Sequence, residues 1–166
     1  FMIIETSQAV EFLKGVPPEI STMLISMTPV FELRGAIPVG IGAYKMTVAE
    51  TFVWSVLGNV LVVAILVIFL EKVTGFLMKH FKFWRKFFNW LFERTRSRAS
   101  DKIEKYGDWG LFFLVAIPLP VTGGWTGSLA AFLFGIPKKK SIPIISLGVL
   151  TAGVIVTILT IGIGSL

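Results

Sequence analysis

TFVWSVLGNVLVVAILVIFL, residues Thr51–Leu70, runs for twenty residues without a charge. Coiled as an α-helix it spans ~30 Å, the thickness of a bilayer's hydrocarbon core. Ser141–Leu166 is a second uncharged run of sufficient length. Its first helical turn is expected to hold Pro143, where a missing N–H costs little. The overall composition points the same way. Hydrophobic residues make up 54% of the 166, charged residues 16%, and mean hydropathy is +0.80. A soluble domain carries ~25% charged residues, and a folded chain of this size still exposes roughly a third of its surface. So much apolar surface cannot be hidden in the chain's own core, which excludes a soluble globular protein and a disordered one. The chain reads as an all-α integral membrane protein.

Outward from these runs lie two interrupted apolar regions. Ile20–Tyr44 reads ISTMLISMTPVF, then ELRG, then AIPVGIGAY; Trp109–Ile136 reads WGLFFLVAI, then PLPVTGG, then WTGSLAAFLFGI. Each flank is ~9–12 residues, about half of a helical span. Pro29, Gly35 and Pro38 mark the first break, and Pro118, Pro120, Gly123 and Gly124 the second. Proline lacks an N–H and disfavours helix just before it, so each region is either a kinked span or a re-entrant hairpin.

Charge chooses between the two. Ten of the 16 Lys and Arg lie in Lys72–Lys105, which marks that stretch as cytoplasmic. If Trp109–Ile136 returns as a hairpin, Lys138, Lys139 and Lys140 join them, and 13 of the 16 basic residues share one side. Lys14 and Lys45 then fall on the opposite face. The expected fold is two inverted repeats, each a re-entrant hairpin followed by a transmembrane helix: residues 19–71 and 107–166. Residues 1–18 form an N-terminal surface segment, with a short helix over Ile3–Leu13. Pro29 stands 89 residues before Pro118, and Gly58 stands 90 before Gly148. Inverted repeats with broken helices recur in secondary transporters.

Residues 72–106 join the repeats. Lys79, Lys82, Lys86, Asn89 and Glu93 fall on one helical face; Leu77, Phe81, Trp84, Phe88 and Leu91 fall on another. A helix basic on one side and aromatic on the other lies in the membrane interface and meets anionic lipid headgroups. The net charge of +6 is assigned to this contact rather than to nucleic acid. Glu93–Lys105 is expected as loop or frayed helix.

Cysteine is absent and His80 is the only histidine. That removes a disulfide framework, thiolate metal sites and His-dependent triads. With no P-loop or dinucleotide signature, neither enzymatic activity nor a cofactor is expected. Glu32 and Arg34 are the informative charges. At a hairpin tip in mid-membrane a charge costs ~2.5–3.5 kcal/mol, so they read as part of a substrate or proton path or as a structural ion pair. The second tip offers hydroxyls from Thr122, Thr126 and Ser128, with Trp125 beside them. Gly35 and Gly124 each precede a half-helix whose N-terminus would favour an anion; alternatively, Thr and Ser satisfy local backbone. Asn59, next to Gly58, is suited to a hydrogen bond between helices.

PVFELRGAIPVGIG (Pro29–Gly42), the pair Gly58–Asn59, and EKYGDWGLFFLVAIPLPVTGGWTGSLAAFLFGI (Glu104–Ile136) together resemble the prokaryotic small multidrug export protein family. The resemblance runs from about Pro29 to the end. It implies efflux of small molecules across a prokaryotic inner membrane. More distantly, the layout is similar to the DedA superfamily, which includes lipid scramblases thought to hold two facing hairpins. Arg34 with Pro38 resembles their Arg-and-Pro pattern; the second tip keeps Pro118 and Pro120 but no arginine follows. The expectation is secondary transport through a site formed by the two tips, with proton coupling through Glu32, in a homodimer. A scramblase for a phosphate-bearing lipid and a non-transporting membrane scaffold are the alternatives.

Overall fold

The computed structural model describes residues 11, 13, 15–118 and 122–164, and at 91, 92 and 94–108 the backbone alone. Pro120 and most of the helix expected over Ile3–Leu13 lie outside the described residues. The described residues form six helices and no strand: α1 Pro18–Met27, α2 Glu32–Gly42, α3 Val48–His80, α4 Lys82–Ala116, α5 Gly124–Phe134 and α6 Lys138–Gly164. Two of them, α3 and α6, are long and apolar enough to cross a membrane. The chain divides into two compact units, one holding residues up to Val62 and from Val149 onward, the other Val63–Gly148.

In the first unit α1 and α2 pack against each other. Pro18 stands at the first turn of α1, where its fixed φ suits the helix, and Glu19 complements the positive end. Thr28 stops α1 because the following Pro29 forces extended backbone on it (φ −76°, ψ 145°). Ile25, Ala36 and Val39 form the small core of this pair, with Leu13, Phe31 and Tyr44 packed around it. At Lys45 the connection to α3 takes a left-handed φ of 55°. Thr47 and Glu50 then open α3 reciprocally. The Glu50 N–H donates to Thr47 Oγ1 at 3.3 Å, and the Thr47 N–H donates to Glu50 Oε2 at 3.2 Å. Small residues let α3 approach the pair. A methyl group on Gly40 would strike Thr51, and one on Gly58 would strike the Met23 carbonyl and Ser26 Oγ.

In the second unit the end of α4 packs on α5. Val115 is the pivot: a methyl group on Gly127 or on Gly148 would run into it. Gly135 (φ 68°, ψ 30°) closes α5, with its N–H on the Phe132 carbonyl and the Ile136 N–H on the Ala131 carbonyl. Lys138 then pairs with Glu71 at 2.8 Å. Glu71, Thr74, Gly75, Met78, Phe132 and Pro137 are among the residues around a cavity of about 310 Å³. Phe88 meets Phe132 edge-on at 6.4 Å.

Three expectations are corrected here. The stretch expected as a separate joining helix is shared between two elements. Its first part continues α3 as far as His80, the backbone breaks at Phe81 (φ −128°, ψ 116°), and α4 begins at Lys82. The basic stripe Lys79–Lys82–Lys86 therefore crosses a break. Glu93–Lys105, expected as loop or frayed helix, lies inside α4. It contains no Gly or Pro, and Glu, Arg and Lys are good helix formers whose backbone bonds are all local. Finally, α6 opens at Lys138, so Pro143 sits beyond the first turn, on the exposed side.

Seven buried positions of the two long helices match: residues 51, 55, 58, 59, 62, 63 and 67 in α3, and 141, 145, 148, 149, 152, 153 and 157 in α6, each pair 90 apart. Val56 and Thr74 in α3 and Val156 in α6 are buried without such a match. Helix α1 ends at Met27 and α4 at Ala116, an offset of 89; α2 and α5, each 11 residues long, begin 92 apart. The close approaches follow the same register: Gly58 lies on the Met23 carbonyl, Gly148 on the Phe112 carbonyl.

Candidate functional site

The first tip is the four residues Thr28–Phe31. Thr28 Oγ1 donates to the Ile25 carbonyl at 2.8 Å and accepts from the Phe31 N–H at 3.3 Å. The Glu32 N–H returns to the Thr28 carbonyl at 3.1 Å. These bonds close the turn so tightly that Glu32 adopts a left-handed φ of 45° while 8% exposed. For a residue with a Cβ that conformation costs ~1–2 kcal/mol, and it persists only where the surroundings over-determine it. Arg34 lies half-buried within electrostatic reach of Glu32.

Both charges therefore sit in the first turn of α2 rather than in a break before it. Gly35 was expected to precede the half-helix; it is instead the fourth residue inside α2, its N–H on the Phe31 carbonyl at 2.8 Å. The helix starts early because the Thr28 side chain, not a glycine, supplies the turn. Gly35 serves packing: a methyl group there would meet the Phe31 side chain at 2.7 Å. Pro38 stands inside α2 on its exposed side and gives no N–H to the turn that holds Arg34.

Beside this tip runs a buried polar seam. On α3, Thr51, Ser55 and Asn59 are spaced by four, so they share one face, and all three are fully buried. Asn59 Nδ2 donates at 3.1 Å to the Ser26 carbonyl, in the last turn of α1, where carbonyls lack helical donors. Asn59 Oδ1, Ser55 Oγ and Thr51 Oγ1 have no hydrogen-bond partner among the described residues, nor does the Tyr44 hydroxyl. Thr51 and Ser55 escaped the sequence reading, because isolated hydroxyls in an apolar run look incidental. Their spacing of four from Asn59 was the available signal.

The second tip has different chemistry. Gly123 adopts φ 152° and ψ −161°, a conformation essentially reserved for glycine, and α5 starts at Gly124 as expected. Thr122 Oγ1 donates to the Ile117 carbonyl at 2.9 Å, and the buried Ser128 Oγ donates to the Gly124 carbonyl at 2.7 Å. Both hydroxyls thus satisfy nearby backbone. Trp125 and Thr126 are half-buried in the first turn of α5, and Pro118 is half-buried at the start of the break. Where the first unit has Ser26 and Ser55, the same register in the second has Val115 and Ile145, both fully buried. Among the described residues, no three His, Cys, Asp or Glu gather where they could hold a metal ion.

Residues 32–155 of the chain match the family described as "Putative small multi-drug export protein". No curated protein and no solved structure matches the chain.

Proposed function

Because the chain belongs to the small multi-drug export protein family, we propose that it is a multi-pass membrane exporter of small molecules, driven by an ion gradient. The observation that carries this reading is Glu32: an acid 8% exposed, held left-handed at a tip beside Arg34, in a chain with only 16% charged residues. Intramembrane ionisable groups are costly and belong by default to substrate or proton pathways. Glu32 is the proton carrier in this reading, and Arg34 the group that receives an anionic substrate. Pro38 opens the turn around it. At the second break Trp125 and Thr126 are assigned to the route, whereas Thr122 and Ser128 are assigned to the support of backbone.

The pairs α1–α2 and α4–α5 are read as re-entrant hairpins of two inverted repeats. The 90-residue offset shared by seven pairs of buried positions and the equal lengths of α2 and α5 support this. The inner membrane, with Lys138–Lys140 cytoplasmic and anionic lipid at α4, follows from the distribution of basic residues. The exposed apolar residues Val53, Leu57 and Leu61 on α3 suit lipid or a second copy, and a homodimer is the simplest closed assembly.

The test is flux in proteoliposomes, over a panel of small solutes, with and without a pH gradient. Wild-type flux should follow the gradient. Glu32→Gln should fold yet lose gradient dependence, and Arg34→Lys should weaken anionic substrates by removing the planar fork. If both variants lose stability while their folded fraction transports normally, Glu32 and Arg34 are a structural clamp. Lipid flipping without any gradient dependence would replace the export reading with a scramblase.

A further inference from the structure

The cavity of about 310 Å³ in the second unit lies between the last turns of α3 and the end of α5. Its size falls at the lower end of the range of small-molecule sites. Met78, Phe132, Ile136 and Pro137 give it apolar walls, and Glu71 contributes a carboxylate. Glu71 pairs at 2.8 Å with Lys138, the first residue of α6. The two side chains are 39% and 51% exposed, and an exposed ion pair contributes little stability. It is therefore easily exchanged for the charges of a ligand. Lys139 and Lys140 are exposed as well, so the start of α6 adds two further ammonium groups.

Glu71 also marks a boundary. It is the first charge after the uncharged run Thr51–Leu70, and Lys138–Lys140 are the last charges before the uncharged run from Ser141. With α3 and α6 crossing a bilayer, the cavity lies at the level of the lipid headgroups. Ile65, Ile68, Glu71, Gly75 and Met78 are spaced by 3, 3, 4 and 3, so they share one face of α3. Ile65 and Ile68 are exposed, and their apolar stripe leads from the span to the cavity. We infer that the cavity binds the headgroup of a zwitterionic phospholipid with a primary ammonium, phosphatidylethanolamine. Its ammonium takes the Glu71 carboxylate, its phosphate takes Lys138, and an acyl chain follows Ile65 and Ile68. A lipid with a phosphate alone would set it against Glu71, and a cation alone would leave the lysines unmatched. The inference rests on the membrane part of the export reading and does not depend on flux.

The test is lipid retention by the full chain in detergent, read by native mass spectrometry with one lipid added at a time. Phosphatidylethanolamine should be retained about tenfold more than phosphatidylcholine, whose quaternary ammonium has no N–H for the carboxylate. It should also exceed phosphatidylglycerol, which has no ammonium. Glu71→Gln should erase the preference. Gly75→Leu should abolish retention by filling the cavity. A Cβ on Gly75 meets nothing within 4 Å, and leucine suits a helix better than glycine, so this variant should fold even if Glu71→Gln does not. Equal retention of the three lipids, a preference for phosphatidylglycerol, or a preference that survives in either folded variant would overturn the inference. Equal retention of O-phosphoethanolamine, the headgroup without chains, would also overturn it, because the occupant would be a soluble zwitterion. A chain that stays soluble without detergent and enters no vesicle would instead sink the membrane reading itself.

Discussion

Gly58 and Gly148 bring a long helix against a shorter helical arm in the same way, each seated on a backbone carbonyl of that arm. What surrounds them is opposite in kind. Beside Gly58 stand Ser26, Ser55 and Asn59; beside Gly148 stand Val115 and Ile145. The first unit also tolerates left-handed backbone at Glu32 and Lys45, whereas the second places glycines at its left-handed positions, Gly123 and Gly135. One backbone register thus serves two chemistries. The second unit packs mainly apolar side chains and has glycine where glycine is needed, with the buried Ser141 hydroxyl and Pro143 inside α6 as its exceptions. The first breaks local rules at the residues that could touch a polar solute, which is where function and stability are expected to conflict.

The largest expected effect tests the shared register. Gly58→Ala should cost about 3 kcal/mol, since overpacking costs ~1–3 kcal/mol and the new methyl group would meet the Met23 carbonyl, which a side-chain rotation cannot move. Gly148→Ala should cost roughly half of that, because its nearest neighbours, Val115 Cβ at 2.8 Å and the Phe112 carbonyl at 3.1 Å, are further from the new atom than those at Gly58. Unfolding in detergent micelles would measure both. Equal costs would mean that the two approaches are the same in tightness as well as in register.

Next in size is a test of the chemistry. Ile145→Ala should cost about 2 kcal/mol, at the low end for a buried isoleucine, since lipid offers helices no hydrophobic driving force and only packing is lost. Ser55→Ala, at the matching position, removes an oxygen without a protein partner and should change stability by less than about 0.5 kcal/mol. A large loss at Ser55 would show that its hydroxyl has a strong protein partner.

The smallest effect concerns the connections. Lys45 is exposed and left-handed, so Lys45→Gly should stabilise by about 0.5–1 kcal/mol. Gly135→Ala should destabilise by a similar amount. If Lys45→Gly destabilises instead, its side chain makes an interaction that outweighs its backbone.

Hydropathy and proline made the long helices and both breaks legible, because an uncharged run of twenty residues and a Pro-Gly interruption have few alternative readings. The continuity of α4 was not legible. Arg, Glu and Ser in 93–105 look like loop by polarity, yet nothing in that stretch opposes a helix. The early start of α2 was missed for a similar reason: ELRG carries charge and a glycine, but Thr28 closes the turn before it. The left-handed φ of Glu32 depends on that closure and on packing around the tip, so no single residue announces it. Thr122 and Ser128 were correctly noted as hydroxyls near a break, but only coordinates reveal that they bond to nearby carbonyls.

The spacing between matching positions goes from 89 at the first arms to 92 at the second arms and back to 90 along the long helices. The extra length enters at 117–123, which is longer than Thr28–Phe31, and is returned at Gly135–Pro137, which is shorter than 43–47. The differences in spacing thus lie in the connections and not in the helices. A residue inserted within 51–67 would rotate everything after it by ~100°, turning the buried face of α3 outward. Length differences among relatives should collect in those four connections, and an insertion scan should find them permissive while α3 and α6 are not.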